Sequence, residues 1–186
     1  LPMSIFGYSS FAFILTLWGG KYLYLVHNIT KSDVSFLLMF MAFSWSVGSI
    51  FFGIIEKKLR NKKKIIIYSA ITICFLLSIL CLNLNYYYYS LLVIFSFIGF
   101  LGAFTLVLIS HYRMLFNKNI IGKVLTTANL FNFSGVFFVQ WLTGLIIFHS
   151  KQKYYLTNYF SFSLAFMVII FFLIVSIYFY SKTDEV

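Results

Sequence analysis

Six apolar stretches, each long enough to cross a lipid bilayer, account for nearly the whole of this 186-residue chain. A helix needs about 20 residues to span a hydrocarbon core of ~30 Å. Lipid offers no partner to a free backbone N–H or C=O, so stretches of this length are predicted to be helices. We place the spans at residues 4–26, 34–55, 65–84, 88–110, 124–148 and 159–180.

The composition leaves no room for a soluble domain. Hydrophobic residues make up 62% of the chain and charged residues only 10%, and the connections between the spans are short. We therefore expect a single all-α domain over residues 1–186, a polytopic bundle of six transmembrane helices. The chain begins with Leu1 rather than Met, and we expect it to be a fragment that is incomplete alone.

The formal charge of +10 reflects membrane orientation rather than nucleic-acid binding, because the basic residues lie between the spans. Lys and Arg accumulate in cytoplasmic loops during insertion. With six spans, the two termini and the second and fourth loops share one side. That side has ten of the fourteen basic residues: Lys57, Lys58, Arg60, Lys62, Lys63, Lys64, Arg113, Lys118, Lys123 and Lys182. Both termini are predicted to be cytoplasmic.

A stripe of small residues marks the second span. Ala42, Ser46, Ser49 and Gly53 recur at helical spacing and lie on one helix face. Small residues allow two transmembrane helices to approach closely, so we predict a helix contact along this face. Gly99 and its neighbours in the fourth span are expected to pack in the same way or to let the helix bend.

A polar stripe marks the fifth span. At 100° per residue, Asn129, Asn132, Gln140 and Thr143 fall within an arc of about 80°. An unsatisfied amide facing lipid costs about 1–3 kcal/mol on the mutational scale, so this face is predicted to point into the protein. It serves either as hydrogen-bonding contact between helices or as the wall of a hydrated cavity that binds a polar substrate.

Lys21 is the only formally charged residue inside a predicted span, about five residues from its outer end. Its side chain either extends to the interface or attracts an anion at the mouth of a transport pathway. Trp18, one turn deeper, either lines that pathway or anchors the helix at the interface. His27, His111 and His149 lie at span ends and are expected at the interfaces rather than in a proton relay.

Residues for catalysis or metal binding do not form a recognisable pattern in the sequence. Asp33, Glu56, Asp184 and Glu185, the four carboxylates, all lie outside the predicted spans. Ion coupling through a membrane-embedded carboxylate is therefore not expected in this chain. Nucleophile–base pairs, phosphate-binding loops and Cys/His clusters with metal spacing are also missing, so we expect neither an enzyme nor a cofactor.

Three segments resemble a group of bacterial transporters of the major facilitator superfamily. The residues from Leu17 to Leu23, LWGGKYL, are similar to a tryptophan-containing stretch of the seventh helix in that group. The residues from Gly122 to Leu130, GKVLTTANL, are similar to the entry to the eleventh helix. Between them, Glu56, Lys57, Lys58 and Arg60 occupy the place of the basic loop that follows the eighth helix.

The resemblance covers almost the whole chain and implies the C-terminal, six-helix half of a twelve-helix transporter. It implies a bacterial inner-membrane location, a small polar solute and alternating access between two bundles. Glu56, Lys57, Lys58 and Arg60 would then form a cytoplasmic gating loop. The partner would be the lipid bilayer with a complementary N-terminal half or a second copy. Two alternatives stay open: an autonomous six-span homodimeric channel or transporter, and a non-transporting scaffold or remnant of a split gene.

Overall fold

Six long helices form the bundle in the computed structural model, which describes residues 2–58, 61–82, 84, 86–152 and 157–183. We number them α1 (Pro2–His27), α2 (Lys31–Lys58), α3 (Lys62–Leu80), α4 (Tyr88–Leu115), α5 (Ile121–Gln152) and α6 (Asn158–Ser181). Each is long and apolar enough to cross a membrane. The predicted all-α class and six spans are confirmed, and most helices extend two to five residues beyond the predicted ends, whereas α3 ends four residues earlier.

Polar side chains in the short connections begin several of these helices. The Asp33 amide donates to Thr30 Oγ1 at 3.3 Å, and the Thr30 hydroxyl donates to the Asp33 carboxylate at 2.7 Å. Asn61 accepts from the Lys64 amide at 3.1 Å in the same way. These contacts satisfy backbone donors that have no partner within the first turn. Apolar sequence alone therefore forms the spans, and single polar residues fix where they start.

The helices pack in a definite order. α5, α1, α4 and α2 follow one another in contact, while α3 and α6 pack against each other and against this series. α1 and α4 are consequently the most buried, with 61% and 50% of their most apolar segments inside the bundle. α2 and α5 are the least buried, at 17% and 22%. The two outer members of the series thus present most of their surface to whatever surrounds the bundle.

Aromatic rings fill the core between α1 and α6. Tyr22 meets Phe162 and Phe166 edge to face, with ring centroids 5.7 Å and 5.0 Å apart. Phe13 contacts Phe166 in the same orientation at 5.8 Å. Edge-to-face pairs of this kind add roughly 0.5–1.5 kcal/mol beyond their buried area. The α1–α6 contact therefore forms a rigid support for the residues of α1 that face α5.

Two glycines form the closest helix contact, between α2 and α4. Gly99 was expected to pack, whereas the glycine of α2 is not the predicted one. A Cβ at Gly48 of α2 would clash with the Phe100 carbonyl of α4, and one at Gly99 would clash with the Met41 carbonyl. At Gly53, by contrast, nothing lies within 4 Å. The prediction of a contact along the face of Ala42, Ser46, Ser49 and Gly53 is wrong within this bundle, because Gly48 lies on a different face of α2.

The fourth span both packs and bends, as expected. Gly102 fits closely against Phe11 of α1, where an added Cβ would come within 2.9 Å of the ring. The helix is interrupted at the next residue, Ala103, whose amide bonds to the Phe100 carbonyl at 3.3 Å. Thr105 donates its hydroxyl to the Gly102 carbonyl at 3.1 Å. A local side-chain bond thereby satisfies a carbonyl near the interruption, as a low-dielectric environment requires.

Candidate functional site

The polar stripe of α5 lies beside α1, and its four residues have different surroundings. The Gln140 side-chain amide donates to Thr16 Oγ1 of α1 at 2.6 Å. Thr143 is fully buried and donates its hydroxyl to the Val139 carbonyl of its own helix at 2.6 Å. Its polar group is therefore already used for helix structure. Of the four, Gln140 alone has a side-chain hydrogen bond to another helix.

The two asparagines are not paired in this way. Asn129 is exposed, whereas the side-chain carbonyl oxygen of Asn132 is buried and has no hydrogen-bond partner. A buried amide oxygen without a partner costs about 1–3 kcal/mol. Asn129 is therefore not covered by the other helices of this bundle, and its place on the wall of a hydrated cavity stays a prediction. Asn132 retains an unused acceptor inside the bundle.

The remaining faces of α5 are apolar. Exposed large side chains run along one side of the helix: Leu130, Phe133, Phe137, Trp141 and Phe148. Phe138 turns instead toward α6, with its ring centroid 6.1 Å from that of Phe172. The polar stripe of α5 thus lies at the edge of the contact with α1, where that contact meets the exposed apolar side of the helix.

A change of helical pitch in α1 faces this stripe. Residues Ile14–Trp18 form a π-helical segment, closed by the Gly19 amide bonding to the Ile14 carbonyl. A Cβ at Gly19 would clash with that carbonyl, so the glycine is what allows this geometry. π-helical turns inside α-helices are frequent at functional sites. Thr16, the partner of Gln140, lies in this segment and was missed by the sequence analysis.

Thr16 is held in position by its own helix. Its hydroxyl donates to the Ala12 carbonyl at 2.7 Å and accepts from Gln140. The residues Gly19 and Gly20 were the available indication that α1 departs from regular helix here. Hydropathy could not reveal it, because a single threonine in an apolar stretch leaves the mean hydropathy almost unchanged.

A cavity of about 790 Å³ opens between α1 and α5, beyond Gln140 toward the end of the bundle that holds His27. Trp18 and Lys21 line it from α1, and Gly144, Ile147 and Lys151 line it from α5. At 100° per residue these α5 positions continue the face of Asn129 and Gln140. The structure therefore brings Trp18 and Lys21 to the same interhelical groove as the polar stripe.

The ammonium of Lys21 is folded over the indole ring of Trp18, 4.6 Å from the ring centroid. This direction is back toward the middle of the bundle, not outward to the interface. A cation over an indole face is attracted by the ring quadrupole. Trp18 itself is 9% exposed, and its indole N–H has no hydrogen-bond partner in the described part of the chain.

The predicted gating loop lies at the opposite end of the bundle. Glu56 accepts from Lys62 Nζ of α3 at 3.0 Å and from the Ser110 hydroxyl of α4. Lys57 and Lys58 are exposed at the end of α2, and Arg60 lies outside the described residues. Glu56 thus joins the ends of three helices, while its two basic neighbours reach outward. The gating role itself stays a prediction.

The three histidines have different surroundings. His111 is buried, with its Nδ1 2.5 Å from the Tyr180 hydroxyl of α6. His27 Nε2 contacts the Tyr22 hydroxyl at 3.0 Å, and His149 is exposed. The burial of His111 against α6 was not predicted, and the interfacial position of the three histidines stays a prediction. Among the described residues, no three His, Cys, Asp or Glu side chains form a metal-binding group.

No protein-family model, curated protein or solved structure matches this chain. The functional interpretation therefore depends on the groove between α1 and α5 and on the resemblance of the three segments. Two features of that groove bear on chemistry: unused polar atoms within a membrane-spanning bundle, and two lysines with no carboxylate of the described residues in the lining.

Proposed function

We propose that this protein is the C-terminal-type half of a transporter similar to those of the major facilitator superfamily. The Asn132 side-chain oxygen, buried without a partner about two turns before Gln140 on the same stripe of α5, is the observation that favours transport. In lipid, such an atom needs water, a solute or a further protein group. A hydrated pathway that passes Asn132 and Gln140 supplies the first two.

The low burial of α2 and α5 supports a second bundle as the working partner. A complementary six-helix half, or a second copy of this chain, would cover the surfaces that these helices leave exposed. The solute would then bind between the two bundles and cross by alternating access. Because the site offers amides and hydroxyls, and no carboxylate of the described residues lies there, a small polar solute is the class that it suits.

We further propose that the protein resides in a bacterial inner membrane with both termini in the cytoplasm. The ten-to-four distribution of basic residues supports this orientation. Reporter domains fused after Lys64 and after Val186 should be cytoplasmic, and one inserted at Asn28 should be external. The opposite pattern at any two of these sites would rule out this orientation.

Cysteine accessibility tests the hydrated pathway without knowledge of the solute. The parent carries Cys74→Ala and Cys81→Ser, and a membrane-impermeant, water-soluble thiol reagent is applied to inverted and right-side-out vesicles. Asn132→Cys and Gln140→Cys should react in at least one orientation, because water at membrane depth permits thiolate formation. The extent of labelling is read by mass spectrometry.

Two variants on other faces of α5 serve as controls. Phe138→Cys faces α6, and Leu130→Cys lies on the apolar surface, 65% exposed in the bundle. Both should resist labelling because lipid or protein covers them. Equal labelling of all four cysteines, or labelling of none, would contradict a hydrated pathway on the stripe.

The mass of the protein in detergent distinguishes a complementary half from a second copy of this chain as the second bundle. In detergent, light scattering should give a protein mass of about one 21.7 kDa chain if the partner is a complementary half. A mass of two chains would favour the homodimeric alternative. Such a dimer should also form cross-links between copies at exposed positions of α2 or α5.

A further inference from the structure

We propose that the cavity between α1 and α5 binds an anionic membrane lipid, with its phosphate between Lys21 and Lys151. This site goes beyond the proposed transport function, and it can exist whether or not the protein transports. It takes one class of occupant, a phospholipid that carries net negative charge.

The charges of the cavity are uncompensated. Lys21 and Lys151 line it together, and the one ion pair in the described part of the chain joins Lys62 to Glu56 at the other end of the bundle. Asp33 and Glu56 are the two described carboxylates, and neither lines this cavity. A cation at membrane depth is costly unless an anion or water accompanies it. Water can accompany the exposed Lys21, but only an anion balances the charge of both lysines.

The ammonium of the exposed Lys21 points away from the nearer end of α1. Lys21 lies six residues before the end of α1, about 9 Å along the helix axis. Its ammonium nevertheless folds over Trp18, one turn further from that end. Lysines near membrane interfaces usually extend toward water. An ammonium turned the other way can meet a headgroup phosphate that has entered the groove from the side.

A second, independent observation is the unused donor on the cavity wall. Trp18 lines the cavity, is nine-tenths buried, and its indole N–H has no partner. The Cζ2 corner of the ring, beside this nitrogen, would lie 3.4 Å from a Cβ added at Gly144. Gly144 thus leaves space next to the donor. The indole nitrogen itself is covered, so a phosphate or glycerol oxygen reaches the N–H only when the side chains around it shift.

The rest of the lining suits an acyl chain. Leu25, Ile147, Phe148 and Phe162 supply apolar surface directly beside the lysines. A free phosphate would leave this surface in contact with water, whereas a lipid covers it. An acyl chain in the bilayer is already out of water, so its contact with this wall holds the lipid by packing rather than by the hydrophobic effect. The combination of cations and apolar wall therefore favours an amphiphile over a soluble anion.

Fluorescence quenching in vesicles tests the site directly. Trp45→Phe and Trp141→Phe leave Trp18 as the single tryptophan of the full chain. Reconstitution in phosphatidylcholine with increasing amounts of bromine-labelled phosphatidylglycerol should quench Trp18 saturably at low mole fraction. Bromine-labelled phosphatidylcholine should need about tenfold more lipid for the same quenching.

Charge variants identify the lysines that bind. Lys21→Gln with Lys151→Gln should shift the anionic-lipid quenching curve about tenfold toward higher lipid. The matched control, Lys57→Gln with Lys58→Gln, removes the same charge from the exposed far end of α2 and should leave the curve unchanged. Gly144→Leu, which fills the space beside Trp18, should weaken quenching while the melting temperature shows that the bundle is intact.

Three results would overturn the proposal. Equal quenching by the two labelled lipids would show that charge does not select the occupant. If the quenching curve shifted equally in the Lys21/Lys151 and Lys57/Lys58 variants, overall protein charge rather than the cavity would account for the binding of anionic lipid. Full relief of quenching by millimolar glycerol phosphate or inorganic phosphate would make the natural occupant a soluble anion. Retained labelling of Asn132→Cys in any of these cases leaves the transport proposal standing.

Discussion

The α2–α4 contact and the α1–α5 contact both contain a glycine that packs against a backbone carbonyl of the facing helix. They differ in the residues on either side of that glycine. In the first, Gly48 and Gly99 allow each helix to meet a carbonyl of the other, and the surrounding residues are apolar. In the second, Gly135 of α5 meets the Ile5 carbonyl of α1 equally closely. About two turns further along α5, a polar pair and then a cavity replace this close packing. Close packing stabilises the bundle, and where it is interrupted a cavity forms that a ligand can enter.

The difference follows from which side chains lie between the helices. Apolar side chains lose no hydrogen bonds when two helices close around them, so α2 and α4 pack closely at Gly48 and Gly99. The cavity of about 470 Å³ beside them has only Ser44 and Ser96 as polar lining. Gln140, Asn132 and Lys21 have polar groups that must be satisfied, and a fully closed interface would not satisfy them all. The π-helical segment at Ile14–Trp18 then sets the spacing at which Thr16 reaches Gln140.

The largest effect is expected from breaking the α2–α4 contact. Gly48→Leu should lower the free energy of unfolding by about 3 kcal/mol or more, because the side chain must displace the Phe100 carbonyl. Gly53→Leu on the same helix has nothing within 4 Å and is the matched control. Thermal unfolding in detergent measures both. Equal melting temperatures for the two variants would show that the close contact contributes nothing.

A smaller effect distinguishes the two ends of the α1–α5 contact. Gly135→Ala should cost about 1–3 kcal/mol, since its Cβ would clash with the Ile5 carbonyl. Gly144→Ala should change stability by less than about 0.5 kcal/mol, because its Cβ would make an ordinary contact with Trp18 at 3.4 Å. Unfolding curves of the two alanine variants, recorded side by side, check this order. A larger loss for Gly144→Ala would mean that the cavity end is the tighter one.

The smallest effect concerns the polar pair that begins the open region. A double-mutant cycle of Gln140→Ala and Thr16→Ala should give a coupling energy near 0.6 kcal/mol, the average for hydrogen bonds between transmembrane helices. In the Gln140→Ala variant Thr16 keeps its bond to the Ala12 carbonyl, whereas Thr16→Ala leaves the Gln140 amide without this partner, and the cycle separates the two effects. A coupling energy above about 2 kcal/mol would contradict this prediction, because the pair would then stabilise the bundle as much as the glycine contacts do.

Cys81 is suitable for replacement in the labelling experiments. Burial raises the pKa of its thiol to about 11, which disfavours the thiolate that reacts with the reagent, and its replacement removes any remaining background labelling. Burial likewise raises the pKa of the neighbouring Tyr86. The thiol of Cys81 also contacts the Ser163 carbonyl at 3.7 Å, and serine at this position can keep a donor there.

The sequence by itself determined the number of helices, their approximate ends and the helix that carries polar residues. Spans must be apolar and about 20 residues long, so composition is enough to locate them. The sequence also singled out Gln140, Asn132, Trp18 and Lys21, because polar residues are conspicuous within apolar stretches. It could not say which of these residues meet.

Only the tertiary structure decided which faces pack, since every face of these helices is similarly apolar. Hydropathy distinguishes lipid from water but does not distinguish lipid from a neighbouring helix, and both are equally apolar surroundings. That is why the small-residue stripe through Gly53 was assigned to a contact that Gly48 makes instead. It is also why Thr16 became part of the site only when the π-helical segment of α1 was seen beside Gln140.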